Sequence, residues 1–530
     1  MTTVQKNSVR TVMRGAMILS VAALFAKVLS AVYRVPFQNM VGNTGFYVYQ
    51  QIYPIYGIGM TFALNGLPVL ISKLIAEAKD DNERHQIVHQ ALLQLEIFSV
   101  AVFLALYFGA NGIAREMGDT ALAPIIMSVA WMFLFMPFLS VARGYYQGQF
   151  NMVPTAVSQL VEQVVRVVII LGVAVLATRM HWSPYVMGAM AMSSAAIAAA
   201  AASITLWRFF RVLRQPYQGR VDWYTLGKRL LVEGGIICLF SAMMVLLQLV
   251  DSFTVKTGLV ANGLPDAAAK AQKGIYDRGQ PLVQLGLVIA TSFSASLLPA
   301  LAQAYHQHHV QTFVRVSTTL LRVSLTLSAA ATTGMVVLMP QINTMLFSNG
   351  EGDSVLAVYV LSILLSALIT TYNSVLQSLN QFRLTLIGLC CGLLVKAAGN
   401  AWAVRTFGIV GASWMTVASL LVILGVIWFG SDRRYRAAVW QNGFGWKLTL
   451  ICGGMGIGVR LGVLVFYQVL APGFPRLASA LILGIMVPIG AALFLMGANR
   501  LNLLTIREWL TLPLGDHLVR LGQRLKKVGK

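Results

Sequence analysis

The chain has 530 residues, of which 57% are hydrophobic and 11% are charged, and its 40 Lys and Arg residues outnumber 18 Asp and Glu residues. Soluble globular proteins contain about 45–50% apolar and about 25% charged residues, so this chain has too little charge to cover a water-exposed surface of its size. The composition therefore excludes a soluble enzyme, a disordered chain and a disulfide scaffold, and it predicts an integral membrane protein.

Fourteen stretches of the sequence are apolar over about 20 residues, the length that a helix needs to cross a bilayer. In chain order they lie at roughly 15–35, 46–71, 88–110, 123–142, 155–178, 184–207, 230–251, 275–302, 316–339, 355–376, 385–404, 408–430, 447–470 and 477–497. The first follows basic residues, as in a signal peptide, but Lys27 and Arg34 interrupt it and no small-residue cleavage site ends it. It is interpreted as a retained helix, and the predicted fold class is all-α with fourteen membrane-spanning helices.

The connections between the spans are short, and their basic residues predict the orientation. Lys and Arg residues concentrate in alternate connections, above all in 208–229 and in the C-terminal tail. Because basic residues collect on the cytoplasmic side of membrane helices, we expect both termini in the cytoplasm of a cell whose plasma membrane holds the chain. The same rule accounts for the net charge of +22, so nucleic acid is not a predicted partner.

The basic tail at 498–530 has an amphipathic pattern, in which Leu503, Leu504 and Trp509 stand among basic residues. This pattern predicts a segment that lies on the anionic inner leaflet. A disordered basic tail is the alternative.

The four cysteines all stand in apolar stretches and show no metal-ligand spacing. They are Cys238, Cys390, Cys391 and Cys452. We interpret them as packing residues, and the sequence predicts neither a metal nor another cofactor.

The sequence contains an internal repeat, which relates the fifth predicted span to the eleventh. Gln147 precedes Arg166 by 19 residues, and Gln377 precedes Lys396 by 19 residues. A looser match relates the second span, which begins at Gly45-Phe46-Tyr47 and ends at Leu67-Pro68, to the eighth, which begins at Gly274-Ile275-Tyr276 and ends at Leu298-Pro299.

Repeated halves around a central site are typical of transporters; chance similarity between apolar helices is the alternative. The predicted organisation is an N-lobe at 1–208, a cytoplasmic linker at 209–229, a C-lobe at 230–430, an extra helix pair at 431–497 and the tail at 498–530.

Several ionisable residues fall within predicted spans, where each costs several kcal/mol unless it faces a polar cavity or a partner. The cations that we interpret as substrate-binding residues are Lys27, Arg34, Arg166, Arg278 and Lys396. The acids that we expect to balance them are Asp251, Glu162 and Asp277.

Three of these assignments have alternatives. Glu162 and Arg166 are spaced i, i+4, so in the alternative interpretation they simply neutralise each other and do not bind substrate. Arg34, and the adjacent Asp277 and Arg278, would instead anchor their helices at the outer membrane boundary. Lys396 has no acid nearby in its own helix, so it either pairs across helices, with Asp251 as the expected acid, or faces water.

The surplus of cations favours a polyanionic cargo, because arginine side chains match phosphate oxygens in a bidentate way. The sequence supplies no convincing catalytic group, since only His181 and the segment near Asp266 stand in external loops. It therefore predicts no enzyme, and a phosphorylated lipid as the cargo.

The sequence from Ala26 to Pro36, AKVLSAVYRVP, resembles the first-helix signature of the polysaccharide-transporter branch of the multidrug/oligosaccharidyl-lipid/polysaccharide exporter superfamily. Tyr276-Asp277-Arg278 resembles the eighth helix of the same family, in its MurJ and stage V sporulation protein B group. The resemblance implies fourteen helices in two lobes that form a V around a central cavity. It also implies a groove for a lipid tail at helices 13 and 14, and cavity arginines at Arg34 and Arg278.

The function that the resemblance implies is the flipping of an undecaprenyl-diphosphate-linked cell-wall precursor, first of all lipid II, by a monomeric transporter surrounded by membrane lipids. The alternatives are a flippase for another lipid-linked repeat, such as a teichoic-acid or capsule precursor, and a drug or cation antiporter that depends on Asp251. Val35 stands where related proteins place an Asp, and the family's arginine on helix 2 is missing.

Sodium-binding members of the family have ligands on helices 7, 11 and 12, which here correspond to Asp251, Asn400 and Thr416. Lys396 falls where a further ligand is expected. Its ammonium group would take the place of the ion, so we expect transport without sodium.

Overall fold

The computed structural model describes residues 3–219, 222–291, 301, 310–379, 381–432, 434, 438–469, 475–511 and 515. All regular secondary structure in this part of the chain is helical, as predicted. The chain separates into two compact units, the first comprising Met1–Asp277 with Asn400–Gly408 and the second comprising Arg278–Gly399 with Ile409–Lys530. The predicted six-helix lobes stay a prediction.

The α-helices up to the end of the first unit's main segment are α1 Thr3–Val32, α2 Arg34–Thr61, α3 Leu67–Glu77, α4 Asp81–Glu116, α5 Ala123–Ala130, α6 Met136–Gly148, α7 Met152–Arg179, α8 Pro184–Thr205, α9 Phe209–Leu213, α10 Trp223–Lys228, α11 Gly235–Ser241, α12 Met243–Ala261 and α13 Asp266–Asp277. Two π-helical turns, Phe62–Gly66 and Arg229–Gly234, join α2 to α3 and α10 to α11. Two 3₁₀ turns, Thr120–Leu122 and Trp131–Phe135, flank α5.

The α-helices that follow are α14 Gly279–Thr291, α15 Val310–Val337, α16 Met339–Phe347, α17 Asp353–Tyr359, α18 Leu361–Ser378, α19 Phe382–Gly430, α20 Phe444–Val469, α21 Pro475–Arg500 and α22 Ile506–Leu510. A 3₁₀ turn at Gln441–Gly443 precedes α20.

Eleven helical stretches of the described chain are long and apolar enough to cross a membrane. Two of them, Met17–Glu77 and Phe382–Gly430, are two to three times as long as a bilayer requires. Each is interrupted by a glycine with a positive φ, Gly42 at 71° and Gly408 at 62°, a conformation that residues with a side chain rarely adopt. Each long stretch therefore corresponds to two of the predicted spans.

The eighth predicted span, at 275–302, is divided in the structure. One helix ends at Asp277 and the next begins at Gly279. The Leu298-Pro299 end of the repeat match lies outside the described residues, so the second repeat stays a prediction.

The surface of both units carries many large apolar side chains, such as Phe108 at 76% exposure and Leu394 at 69%. Exposed apolar area on this scale marks contact with a membrane or a partner. Together with the number of apolar helices, it identifies a multi-pass membrane protein. The four cysteines are free, and two of them, Cys238 and Cys452, are buried as packing residues.

The first part of the tail packs on the second unit, and its expected position on the inner leaflet stays a prediction. Leu503, Leu504 and Trp509 are buried in a core that includes residues of α15, α20 and α21. Arg322 on α15 lies 3.5 Å from Glu508 and donates hydrogen bonds to the backbone oxygens of residues 438, 439 and 441. Protein therefore covers Leu503, Leu504 and Trp509, whereas Ile506 and Leu510 are exposed. Residues 512–514 and 516–530 lie outside the described part.

Candidate substrate-binding site

Two arginines from different helices share a buried aromatic environment in the first unit. Arg34 begins α2 and is 0% exposed, and Arg166 on α7 is 2% exposed. The Arg34 guanidinium lies 4.1 Å from the ring centre of Tyr53, and the Arg166 guanidinium lies 4.5 Å from that of Tyr56. Tyr33 lies between them, with its ring centre 6.0 Å and 5.7 Å from the two groups. We call these five residues the cationic cluster.

The hydrogen-bonding capacity of the cationic cluster is largely unused. None of the three side-chain nitrogens of Arg34 makes a hydrogen bond of good geometry in the described part of the chain, although the Tyr33 hydroxyl and the Asp277 carboxylate lie close enough to interact with its charge. Arg166 donates from one nitrogen to Ser30, at 3.2 Å, and to Gln163, at 2.8 Å, while its other two nitrogens have no partner there. Stacking on tyrosine rings stabilises a cation, but a buried guanidinium without acceptors is unfavourable. An anion that enters the cluster would supply the missing acceptors.

Glu162 does not neutralise Arg166, so the i, i+4 alternative is wrong. Its carboxylate accepts a hydrogen bond from Arg143 on α6 at 2.6 Å, and both side chains are buried. Arg143 also donates to Ser158 and to the backbone oxygen of Ala63. Arg143, which follows directly after the predicted span at 123–142, is therefore an interior residue, and its pairing with Glu162 leaves the charge of Arg166 for another anion.

Lys27 is not part of the buried cluster. It lies on α1, seven residues before Arg34, and its side chain is exposed. The shared helical face that this spacing predicts therefore carries one exposed and one fully buried cation.

Asp251 on α12 is fully buried, and both of its carboxylate oxygens accept hydrogen bonds within the first unit. Asn400 donates to one oxygen at 2.9 Å, and the Tyr276 hydroxyl donates to the other at 2.9 Å. The same Asn400 nitrogen donates to the Thr254 hydroxyl at 2.6 Å. Of the three predicted sodium ligands, the structure thus joins Asp251 to Asn400, with the amide nitrogen rather than the oxygen facing the carboxylate.

The partner of Asp277 is a lysine that the sequence analysis missed. Lys273 lies one turn earlier on α13, and its ammonium nitrogen is 2.5 Å from an Asp277 oxygen, with both side chains fully buried. The i, i+4 spacing is the sequence signal that would have found this pair.

The two predicted cations of the second unit donate hydrogen bonds to neutral side chains, and Arg278 also interacts electrostatically with Glu351 and Asp353. Arg278 donates to Asn343 at 3.2 Å and to Asn349 at 2.6 Å, and it stacks 5.1 Å from the Phe347 ring centre. Lys396 is fully buried and donates to the Thr416 hydroxyl at 2.7 Å. The Lys396 ammonium group therefore binds the hydroxyl of Thr416, one of the three candidate sodium ligands.

A second charged group in the first unit, which the sequence analysis missed, lies at the ends of helices. The Asp119 carboxylate contacts Lys270 at 3.1 Å and accepts a hydrogen bond from Tyr185 at 2.7 Å. Asp266 contacts Lys270 at 2.7 Å and Lys256 at 2.5 Å. We call these five residues the terminal ion network.

Hydrogen bonds within this network shift two pKa values. Those from Lys256 and Lys270 lower the pKa of Asp266. Burial opposes the charge on Lys270, but hydrogen bonds to Asp266, Tyr185 and Asp119 outweigh it and raise the pKa of the lysine. The network joins residues 119, 185, 256 and 266–270, which are too far apart in the sequence for a motif to reveal it.

Comparison with known proteins places this architecture. Residues 12–305 match the model of a family described as polysaccharide biosynthesis protein. The chain is 36% identical to the uncharacterized membrane protein YabM of Bacillus subtilis (strain 168), over 97% of each chain. The chain belongs to the polysaccharide biosynthesis protein family. This confirms the resemblance to the polysaccharide-transporter branch of the exporter superfamily.

Two further likenesses concern a flippase in this family. The chain is 23% identical to the lipid II flippase MurJ of Bacillus subtilis (strain 168), over 93% of this chain and 96% of the other. A solved structure of a lipid II flippase MurJ in an inward closed conformation superimposes with a TM-score of 0.67 at 12% sequence identity, over 91% of this chain and 98% of that one. The chain therefore has the fold of membrane transporters in this superfamily.

Proposed function

We propose that this protein is a flippase that moves an undecaprenyl-diphosphate-linked cell-wall precursor, lipid II in the first place, from the inner to the outer leaflet of the plasma membrane. The observation that carries the proposal is the pair of buried arginines, Arg34 and Arg166, whose nitrogens are largely without acceptors. A diphosphate offers several anionic oxygens, and arginine binds such groups through paired hydrogen bonds. The similarity to a lipid II flippase over almost the whole chain supports the same cargo.

In the proposed mechanism, the cationic cluster binds the diphosphate. The prenyl chain stays in lipid or in the groove at the last two predicted spans, which correspond to α20 and α21. A bound ligand drives a conformational change only through different contacts in the two states. Arg34 and Arg166 provide such a difference if the state that admits the diphosphate satisfies their nitrogens and the empty state does not. The proposal also includes three further substrate-binding residues, Lys27, Arg278 and Lys396. It includes a cytoplasmic position of both termini and a monomeric state.

A drug or cation antiporter is a second candidate, because it shares the superfamily and needs a buried acid such as Asp251. Both oxygens of Asp251 accept hydrogen bonds from side chains of the protein, and the cationic cluster would repel a cationic drug. These observations favour the lipid-linked anion as cargo.

The decisive experiment is depletion of this protein followed by measurement of the lipid-linked precursor that accumulates on the inner leaflet. Accumulation of lipid II supports the proposal, accumulation of a teichoic-acid or capsule precursor changes its cargo, and no accumulation of any of them refutes it. In a strain depleted of its lipid II flippase, the wild-type chain should restore growth.

Arg34→Ala and Arg278→Ala should each fail in that strain while the protein still inserts into the membrane. Arg115→Ala, which removes an exposed cation at the end of α4, is the matched control and should restore growth. Normal growth with both Arg34→Ala and Arg278→Ala would contradict the cationic binding site.

A further inference from the structure

A cavity in the second unit is lined by two opposite charges, neither of which is among the substrate-binding residues of the proposed transport function. Its volume is about 340 Å³, at the lower end of the range of ligand pockets. The lining consists of Val336, Val337, Met339, Pro340, Asp353, Ser354, Ala357 and Arg460. These residues come from the end of α15, the beginning of α16, the beginning of α17 and the middle of α20.

Arg460 is a cation on an apolar, membrane-spanning helix. It lies nine residues before the last residue of α20, Val469, which corresponds to about 14 Å along the helix axis. Its side chain is exposed, and the neighbouring side chains of Ile457 and Leu461 are 65% and 56% exposed. A cation among lipid-facing residues is unfavourable unless it reaches a polar cavity or an anionic group.

Asp353 provides the opposite charge on the other wall of the cavity. Its side chain is half-buried, and one carboxylate oxygen accepts a hydrogen bond from Asn343 at 2.6 Å. Although Asp353 and Arg460 line one cavity, neither forms an ion pair within 4.0 Å in the described part of the chain. The cavity therefore presents a cation and a carboxylate that are not paired with each other, and the carboxylate also interacts electrostatically with Arg278 outside the lining.

We propose that this cavity binds the headgroup of a zwitterionic phospholipid with a primary amine, phosphatidylethanolamine, with its phosphate on Arg460 and its ammonium group on Asp353. Phosphatidylglycerol also offers a phosphate, but it has no cation for Asp353. Phosphatidylcholine has a quaternary ammonium group, which cannot donate a hydrogen bond to the carboxylate. The apolar lining and the exposed apolar face of α20 suit the acyl chains, so the site matches the whole amphipathic molecule.

The test uses the full chain, purified in detergent and incubated with equal amounts of phosphatidylethanolamine, phosphatidylglycerol and phosphatidylcholine. Native mass spectrometry then counts the lipids that stay bound. We expect the wild type to retain phosphatidylethanolamine about three- to fivefold over each of the others, as an accessible charge pair allows. Equal retention of the three lipids, or a preference for phosphatidylglycerol, would overturn the proposal.

Three variants assign the two contacts. Arg460→Gln should lower retention of phosphatidylethanolamine to the level of the other lipids, while Arg460→Lys, which keeps the charge, should preserve it. Asp353→Asn keeps the oxygen that Asn343 contacts but loses the charge, so it should abolish the preference over phosphatidylglycerol. Arg500→Gln removes an exposed cation at the end of α21 and should change nothing.

An unchanged lipid preference in Arg460→Gln or in Asp353→Asn would refute the corresponding contact. Thermal unfolding of each variant shows whether it is folded, and Arg460→Lys keeps the test decisive if Arg460→Gln is not. Because the readout is lipid retention, it does not depend on the cargo that the protein transports.

Discussion

Arg143 donates a hydrogen bond to Glu162 at 2.6 Å. Glu162 lies on α7, one helical turn before Arg166. This pair uses the only acid of α7, so the Arg166 guanidinium keeps its charge for the cationic cluster. Two arginines in the same unit thus have opposite roles. Arg143 forms an ion pair with an acid of the fold, while Arg34 has stacking tyrosines and forms no ion pair within 4.0 Å among the described residues.

Replacement of these two arginines by methionine should therefore change stability in opposite directions. Arg143→Met leaves Glu162 as a buried charge without its cation, and we expect a loss of about 3–5 kcal/mol. Arg34→Met removes a buried cation without hydrogen-bond acceptors, so the free energy of unfolding should stay the same or rise, while transport is lost. Thermal unfolding in detergent and the growth assay give the two readouts. A strongly destabilised Arg34→Met variant would show that the cation holds the fold together rather than waiting for a ligand.

Lys396 should make transport independent of sodium, because its ammonium group already donates to Thr416 at 2.7 Å. The wild type should flip its cargo at equal rates in sodium and potassium buffers. Lys396→Gln should lower the rate or make it depend on sodium, whereas Lys228→Gln, at an exposed position, should do neither. Measurement of flipping in proteoliposomes in both buffers decides the point, and a Lys396→Gln rate equal to the wild-type rate in both would discard the role of an ion substitute.

The terminal ion network should give stability a dependence on pH at both ends of the scale. The pKa of Asp266 is lowered in the folded protein, so its contribution is present above the unfolded pKa of about 3.9 and is lost as the pH falls below it. The pKa of Lys270 is raised, so its contribution is present below about 10.4 and is lost as the pH rises above it.

Because the Asp266 side chain is 53% exposed, we expect only about 0.2–1 kcal/mol from the pair. Unfolding of Asp266→Asn, Lys270→Met and the double variant, compared with the wild type between pH 3 and 7, measures this term. A wild-type loss in acid that Asp266→Asn shares in full would assign the loss to other groups.

The sequence was sufficient for the fold class because composition and hydropathy act locally: an apolar stretch of about 20 residues predicts a membrane helix wherever its neighbours lie. The same local argument found Arg34 and Arg166, since each is a cation within an apolar stretch. It could not choose their partners. Glu162 has a cation four residues away, yet it pairs with Arg143 because the packing of α6 on α7 brings that side chain closer.

Long-range contacts explain the other differences. Arg278 contacts Asn343 and Asn349, which are 65 and 71 residues away in the chain, and neutral amides give no charge pattern to search for. Leu503, Leu504 and Trp509 have the pattern of a membrane-surface helix, but α15, α20 and α21 offer them an apolar surface. Amphipathicity predicts that a face is buried, and it does not say whether lipid or protein covers it.

Gly274 marks a close approach of α13 to α2, and it gives a last prediction. A Cβ atom at this position would lie 2.1 Å from the backbone oxygen of Asn43, so Gly274→Ala must push two backbones apart. We expect a loss of about 1–3 kcal/mol, together with lower transport, because the same helix carries Tyr276, which donates to Asp251. Gly172 on α7 is the matched control, since nothing lies within 4 Å of its Cβ position.

Gly172→Ala should be neutral or stabilising by up to about 1 kcal/mol, as for other glycines inside helices. Thermal unfolding and the growth assay on both variants test the contrast. If Gly274→Ala were as stable and active as Gly172→Ala, then α13 would not need its close contact with α2, and the position of Tyr276 against Asp251 would not depend on it.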